Sequence, residues 1–376
     1  GGDTGDSDGD TSVNESHPLF DMLKRVPMEF VNTIITYTDF RAVEDALPYV
    51  ERPNKGQIFY QDWTGYVQRW YTNADFIQTI FRGADDYLTT VGFEFRDVNR
   101  VFTFGDQPNN GTIWSGDFDE EAIRTAHTTR GYSAVTINDA EAWCYAGDCS
   151  IGMTLNVQER EMGNIFDPTL GRKIPFVMWD DTLISTPQQS ILGDVANLTE
   201  NTLYDNADIR ALAQAATAPD GLLVNWMLLS ERQLQQTLNL SDIDFNPNDF
   251  NSYAYQNLPT YNAVAIADRQ EGDSMVALIM LAYNDEASAQ SAAAELSARV
   301  ASFTDRLFRR ESEPIWSRVP GALITHSTYA SDTGRYVAIV RIEYATPTEE
   351  QAFAGRGSED FYSPDARAFN YLLRAI

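Results

Sequence analysis

Apolar runs of strand length alternate with amphipathic helical stretches along the chain. Residues 31–38 are rich in β-branched residues and predict a strand. Residues 40–50 have helical spacing of apolar positions, and residues 120–130 follow Asp119, a residue type that caps helices. The first half also predicts strands at 99–104, 112–118, 133–138 and 141–145, a strand pair at 175–185, and helices at 61–90 and 187–198.

A similar order of elements returns in the second half. Strands are predicted at 221–230, 262–269, 274–283, 322–329 and 335–344, with helices at 231–238 and 285–303. Both halves therefore have the order β-α-β-β-α-β plus an extra strand, which is the ferredoxin-like order. We expect an α+β protein with two ferredoxin-like halves, whose antiparallel sheets are covered by helices. The predicted domains are residues 18–205 and 206–376, after a tether at residues 1–17.

The first 16 residues are almost all Gly, Asp, Ser, Thr, Asn and Glu, a composition that cannot bury apolar surface. The sequence opens at Gly1 without Met. A polar tether behind a processed start is typical of a mature bacterial lipoprotein, whose lipidated cysteine would precede Gly1. We expect an extracytoplasmic protein at the cell surface or in the periplasm, held by a lipid anchor. The alternative is an arbitrary boundary before a cytosolic domain.

The net charge of the chain argues against nucleic acid as a partner. The formal net charge is -28, with 55 acidic and 27 basic residues, so a phosphate backbone would be repelled and nucleic acid is an improbable partner. Three of the basic residues are lysines: Lys24, Lys55 and Lys173. A surface rich in arginine and carboxylates favours networks of ion pairs. The excess of arginine over lysine is explained either by a GC-rich genome or by adaptation to heat or salt.

Two cysteines, Cys144 and Cys149, flank the turn sequence Tyr-Ala-Gly-Asp. Such a turn can bring two cysteines within bonding distance, which predicts a disulfide and agrees with export. A metal or redox pair is the alternative. The spacing is not C-x-x-C, and the chain has no second cysteine pair to complete a zinc site.

An aromatic stripe is the strongest candidate for partner binding. Tyr60, Trp63, Val67 and Trp70 fall at helical spacing on one side of a predicted helix. The stripe either packs onto the sheet as core or forms an exposed platform for a partner protein, a sugar or a membrane interface.

Catalytic motifs are missing from the sequence. The acidic pairs Asp117 with Asp119 and Asp180 with Asp181 could act in acid–base chemistry, but helix capping and a strand turn explain them equally well. The three histidines lack metal-ligand spacing, and neither a G-x-S-x-G elbow nor a phosphate-binding loop is present. We expect no cofactor and no metal site.

Glycosylation sequons begin at Asn14, Asn110, Asn197 and Asn239.

Several segments of the first half are similar to uncharacterised exported bacterial lipoproteins. They are residues 19–27, residues 34–39, the stretch Ser115-Gly-Asp-Phe-Asp119 with its following helix to Arg130-Gly-Tyr132, and the strand into Trp143-Cys144. The resemblance implies export and a lipid anchor. It implies no activity and no catalytic residues.

These observations favour a cell-surface binding or structural protein that docks to a partner protein or a larger assembly. One alternative is an extracytoplasmic hydrolase or metal-dependent enzyme, which would need at least two of the four aspartates to converge in a concave pocket. Another is a small-ligand binder in a cleft between the halves.

Overall fold

One antiparallel β-sheet runs through both halves of the chain. The computed structural model describes residues 16–46, 87–161, 164, 166, 170–229, 258–302 and 321–346. The strands are β1 Ile35–Asp39, β2 Val98–Asp106, β3 Asn109–Gly116, β4 Tyr132–Ile137, β5 Ala140–Tyr145, β6 Phe176–Trp179, β7 Thr182–Ser185, β8 Leu222–Leu229, β9 Ala263–Glu271, β10 Ser274–Tyr283, β11 Leu323–Ala330 and β12 Tyr336–Ala345.

Seven α-helices occur within these described ranges. They are α1 Pro18–Leu23, α2 Phe40–Ala46, α3 Tyr87–Val91, α4 Glu120–Thr129, α5 Gln189–Ala196, α6 Ala207–Ala216 and α7 Glu286–Ser302. Short 3-10 helices lie at Met28–Asn32, Phe95–Asp97, Cys149–Met153, Val157–Glu159 and Leu203–Asp205. No helix among the described residues is long and apolar enough to span a membrane.

The order of strands across the sheet is β11-β12-β10-β9-β8-β1-β2-β3-β7-β6-β5-β4, and each strand is antiparallel to its neighbours. The halves meet at β1 and β8, where Ile35 lies opposite Leu228 and Thr38 lies opposite Asn225. Outward from this pair, one side has β8, β9, β10, β12 and β11. The other has β1, β2, β3, β5 and β4, with the β6–β7 hairpin inserted before β5.

The predicted pair of ferredoxin-like halves is therefore wrong. In the ferredoxin-like unit, each helix connects two parallel strands that have another strand between them. β10 and β11 follow this rule, because α7 connects them and β12 lies between them. β1 and β2 do not follow this rule, because they are direct antiparallel neighbours. The other edge of β1 pairs with β8. The predicted division after residue 205 stays a prediction, and the sheet itself is continuous.

Both faces of the sheet are buried at the neighbouring strands β8, β9 and β10, which explains the nearly unbroken apolar sequence of β10. Val276, Leu278 and Met280 of this strand belong to the core cluster that contains residues of α1, α5 and α6. The alternate residues Met275 and Ile279 face the opposite side and pack in the cluster that contains α7. A third cluster on this opposite side joins α2, α3 and α4 to the first half of the sheet.

The chain enters the described structure at the centre of the sheet, where α1 packs beside β1. The ring of His17 contacts the ring of Tyr37 edge-on, with 6.0 Å between centroids, and His17 Nδ1 accepts a hydrogen bond from the Leu19 N–H. Burial lowers the pKa of His17 to about 4, although Asp39 opposes the shift. The neutral ring can therefore act as the acceptor that begins α1.

Asp39, the last residue of β1, is tied to three donors at this centre. Its carboxylate accepts from the Tyr37 hydroxyl at 3.0 Å, from Arg100 Nε at 2.7 Å and from the Ala42 N–H at 3.0 Å. The last of these bonds caps α2. Because a buried carboxylate is stabilised when donors surround it, we interpret this cluster as a structural junction.

On the other face, a polar row crosses the same junction. Thr38, Asn225 and Asp268 lie opposite one another on β1, β8 and β9, and all three are buried. Within the described part of the chain, the Asn225 amide and the Thr38 hydroxyl have no hydrogen-bond partner. An unpaired buried polar group costs about 1–3 kcal/mol, so this row lowers the stability of the junction.

A buried histidine weakens the first half in acid. His127 of α4 packs against the rings of Phe176 and Tyr132, with centroids at 4.4 and 4.9 Å, and neither ring nitrogen has a hydrogen-bond partner among the described residues. Burial, helped by the nearby charge of Arg130, lowers the pKa of His127 to about 3. The unfolded chain binds this proton near pH 6.5, so the folded state loses stability as the pH falls from 6.5 towards 3.

We predict that His127→Phe reduces the pH dependence of stability between pH 6.5 and pH 4, to which His17 also contributes. His127 should contribute a slope of up to about 1.4 kcal/mol per pH unit in this window, and phenylalanine removes the titration while keeping a ring. Urea unfolding at a series of pH values measures the slope. The control is His326→Phe on β11, where the histidine is exposed. Equal slopes for His127→Phe and the unsubstituted protein would contradict the prediction.

Candidate docking site

Three large apolar side chains are exposed within five residues. The exposed fractions are 40% for Met153, 57% for Leu155 and 51% for Val157. The other exposed large hydrophobic residues in the described ranges lie singly in separate elements: Leu88, Leu222 and Leu323. Grouped apolar exposure marks interaction sites more often than scattered exposure does, so we call Met153–Val157 the docking segment.

The docking segment follows directly from a disulfide. Cys144 at the end of β5 is bonded to Cys149, the first residue of the 3-10 helix Cys149–Met153, and the two Cα atoms are 4.7 Å apart. Both cysteines are buried in the core. The predicted disulfide is confirmed. The bond attaches the start of the docking segment to the sheet.

Close backbone packing holds the rest of the segment. A side chain at Gly152 would meet the Pro187 carbonyl oxygen at 2.7 Å, so this position requires glycine. Gly171 has a φ of +66° and leaves no room for a Cβ beside the Asn156 carbonyl oxygen. The Asn156 N–H donates to the Leu170 carbonyl at 3.1 Å. The exposed side chains therefore project from backbone that is bonded to its surroundings.

An ion-pair cluster centred on Glu161 lies four residues beyond the docking segment. Glu161 pairs with Arg130 and, at 3.1 Å, with Lys173 Nζ. Burial alone would raise the pKa of Glu161, but the two cations outweigh it and keep this pKa below its usual value. Lys173 also lies over the ring of Tyr145 on β5, 5.6 Å from its centroid. The carboxylate therefore stays charged at neutral pH, and its two partners connect the backbone beyond the docking segment to the end of α4 and to β5.

The docking segment is suited to binding a partner, because its exposed apolar side chains project from a backbone that the disulfide attaches to the sheet. Glu159 and Arg160 are exposed directly beyond the apolar residues, so the rim of the surface is polar and carries both charges. An apolar centre with a polar rim is the usual anatomy of a protein–protein contact.

The partner-binding residues expected from the sequence, Tyr60, Trp63 and Trp70, lie outside the described residues. Their role stays a prediction. The docking segment was not predicted from the sequence, although a signal was present: Met153, Leu155 and Val157 alternate with polar residues soon after a cysteine pair. Alternation of this kind ordinarily indicates a half-buried strand, and here the apolar side of the stretch faces solvent.

The four candidate aspartates lie on exposed caps and turns. Asp117 pairs with Arg41 at 2.5 Å, and Asp119 caps α4 by accepting from the Glu121 and Ala122 N–H groups. Asp180 and Asp181 form the exposed turn between β6 and β7.

The enzyme hypothesis required a concave pocket of converging carboxylates. Asp117 and Asp181 lie at neighbouring strand ends, because the Gly116 N–H donates to the Asp181 carbonyl at 2.9 Å, and all four aspartates are exposed. Within the described ranges, no group of three or more His, Cys, Asp or Glu residues could hold a metal ion. The small-ligand hypothesis required a cleft between the halves, where the described strands β1 and β8 are hydrogen-bonded to each other.

Comparisons with known proteins leave the family open. No protein-family model matches the sequence, and no curated protein matches it. Among solved structures, crystal form III of TP0453 matches with 10% identity over 88% of this chain and 96% of that chain, at a TM-score of 0.35. Crystal form I of TP0453 matches with 9% identity over 85% and 91%, at a TM-score of 0.32. Neither the fold nor the function of this protein follows from similarities at this level.

We predict that replacing both cysteines by alanine loosens the docking segment. The disulfide closes a short loop, and its removal should lower the free energy of unfolding by about 2 kcal/mol. Amide exchange should accelerate at Thr154 and Asn156, which donate to Ile151 and Leu170. Denaturant unfolding and hydrogen exchange measure the two effects, with β9 and β10 amides as internal controls. Unchanged exchange at these two residues would show that the backbone contacts suffice without the disulfide.

Proposed function

We propose that the protein is an extracytoplasmic binding or structural protein that docks to a partner protein through the docking segment. The observation that carries this proposal is the exposure of Met153, Leu155 and Val157 on backbone held by a buried disulfide. A stable structural disulfide is typical of oxidising compartments, which supports a location outside the cytosol. The proposal includes the N-terminal lipid anchor expected from the sequence.

The charge of the protein indicates what kind of partner fits. At a net charge of -28, an acidic partner would be repelled at long range and a basic one attracted. Apolar contact supplies affinity at the segment, while charge complementarity raises the association rate. The proposed partner is therefore a protein with a basic surface around an apolar recess. Its association should weaken as salt is raised, because salt screens the attraction between the two surfaces.

The size of the apolar contribution follows from burial. Covering a large aliphatic side chain completely is worth about 1.5–3 kcal/mol, and the three residues start about half exposed. Replacing all three by serine should thus weaken binding at least about tenfold, since 1.4 kcal/mol corresponds to a factor of ten.

Site-specific crosslinking in the native cells tests the proposal. A photoreactive residue at position 155 should give a crosslinked adduct with a partner protein, and the same residue at position 222 should not. Leu222 is a matched control because its exposed fraction, 44%, is similar and it lies in β8, away from the segment. Met153→Ser with Val157→Ser in the same chain should reduce the adduct from position 155.

A second experiment tests the cellular location of the protein. Protease added to intact cells or spheroplasts should cleave an epitope-tagged copy, and thiol trapping should find Cys144 and Cys149 oxidised. A protein that is protected from protease in both preparations would overturn the extracytoplasmic part. Equal adduct yields from positions 155 and 222 would overturn the docking part.

A further inference from the structure

Two of the four sequons fall within the described residues, and the fold treats them differently. Asn197 lies at the C-terminal end of α5, where the helix stops and an exposed turn begins. Asn197 and Thr199, the two residues that define this sequon, are both exposed. A glycan on this asparagine would extend into solvent without displacing any part of the sheet. Sequons that are used lie in surface loops of exported proteins.

The sequon at Asn110 lies in the sheet. Asn110 is part of β3 and pairs with Gly105 of β2, and its Oδ1 is buried without a hydrogen-bond partner. Thr112 of the same sequon pairs with Thr103 on one side and Ser185 on the other. Between them, Gly111 leaves no room for a side chain against the ring of Phe104. Asn110 is therefore half-buried within the β2–β3 hairpin, whereas Asn197 is exposed.

The amide of Asn197 contacts a neighbouring turn. Its Nδ2 donates one hydrogen bond to the Asn138 carbonyl in the turn between β4 and β5. A primary amide carries two N–H groups, so one can hold this turn while the other is replaced.

From these contacts, we propose that Asn197 is the acceptor of an N-linked glycan. The inference rests on the extracytoplasmic location in the proposed function, since the donor is a membrane-borne, lipid-phosphate-linked oligosaccharide used outside the cytosol. In the transfer, Nδ2 bonds to C1 of the first sugar, and the bond from C1 to the phosphate oxygen breaks. The lipid phosphate leaves with the electron pair, and the amide gives up one proton. No oxidant or reductant takes part.

Mass spectrometry of the protein purified from its own cells tests the inference. The peptide that contains Asn197 should carry a glycan mass, and the peptide that contains Asn110 should carry none. Thr199→Ala should abolish the added mass and Thr199→Ser should retain it. Thr199→Ala is chosen because it destroys the sequon while Asn197 keeps its hydrogen bond to Asn138. Thr112→Ala, which destroys the other described sequon, should leave the glycan on Asn197 unchanged.

The outcomes separate this inference from the proposed function. A protein cleaved by external protease, with Cys144 and Cys149 oxidised but with an unmodified Asn197 peptide, would overturn the glycan and leave the proposed location standing. A protein protected from protease and unmodified would overturn both. Glycan on Asn110 in the folded protein would overturn the selection of Asn197 by exposure. Added mass that survives Thr199→Ala would show a different modification.

Discussion

The pairing of β1 with β8 is the interaction on which the rest of the structure depends. It joins two sets of strands that are far apart in sequence, and without it each set would expose an unpaired edge next to a large apolar surface. On one face, the end of β1 is fixed by Tyr37, Asp39 and Arg100, whose hydrogen bonds join it to β2 and to α2. On the other face, buried polar residues occupy the same position. A polar row next to apolar rows penalises any shift of register, because a shifted strand would place polar groups under apolar neighbours.

Burial of both faces follows from this continuity. A broad sheet with a single buried face could leave its other face polar, but β8, β9 and β10 are apolar on both sides and need helices above and below. The helices α1, α5 and α6 on one side, with α2, α3, α4 and α7 on the other, meet that need. The surface left for binding then lies in connecting segments, which is where the docking segment and the exposed turn at Asn197 are found.

Local features of the sequence predicted local features of the structure. The hairpins β6–β7 and β9–β10, the helix α7 and the Cys144–Cys149 disulfide all depend on residues close together in the chain, so turn chemistry and periodicity reveal them. The order of strands depends on contacts between distant residues. Nothing in the sequence of residues 35–39 indicates a partner at residues 225–228, and the analogy with a known order of elements led to the wrong sheet. The unbroken apolar run of β10 was the available signal for a strand buried on both faces. The docking segment was missed because an exposed apolar stretch and a buried one have the same local pattern.

The place where α1 meets the sheet has a geometric consequence. The contact between His17 and Tyr37 brings the incoming chain to β1, which has five strands on one side and six on the other. With about 4.8 Å between neighbouring strands, the two rims of the platform lie about 24 Å and 29 Å from that entry point. The described chain therefore begins near the middle of one broad face, and neither rim of the sheet is much closer to that point than the other.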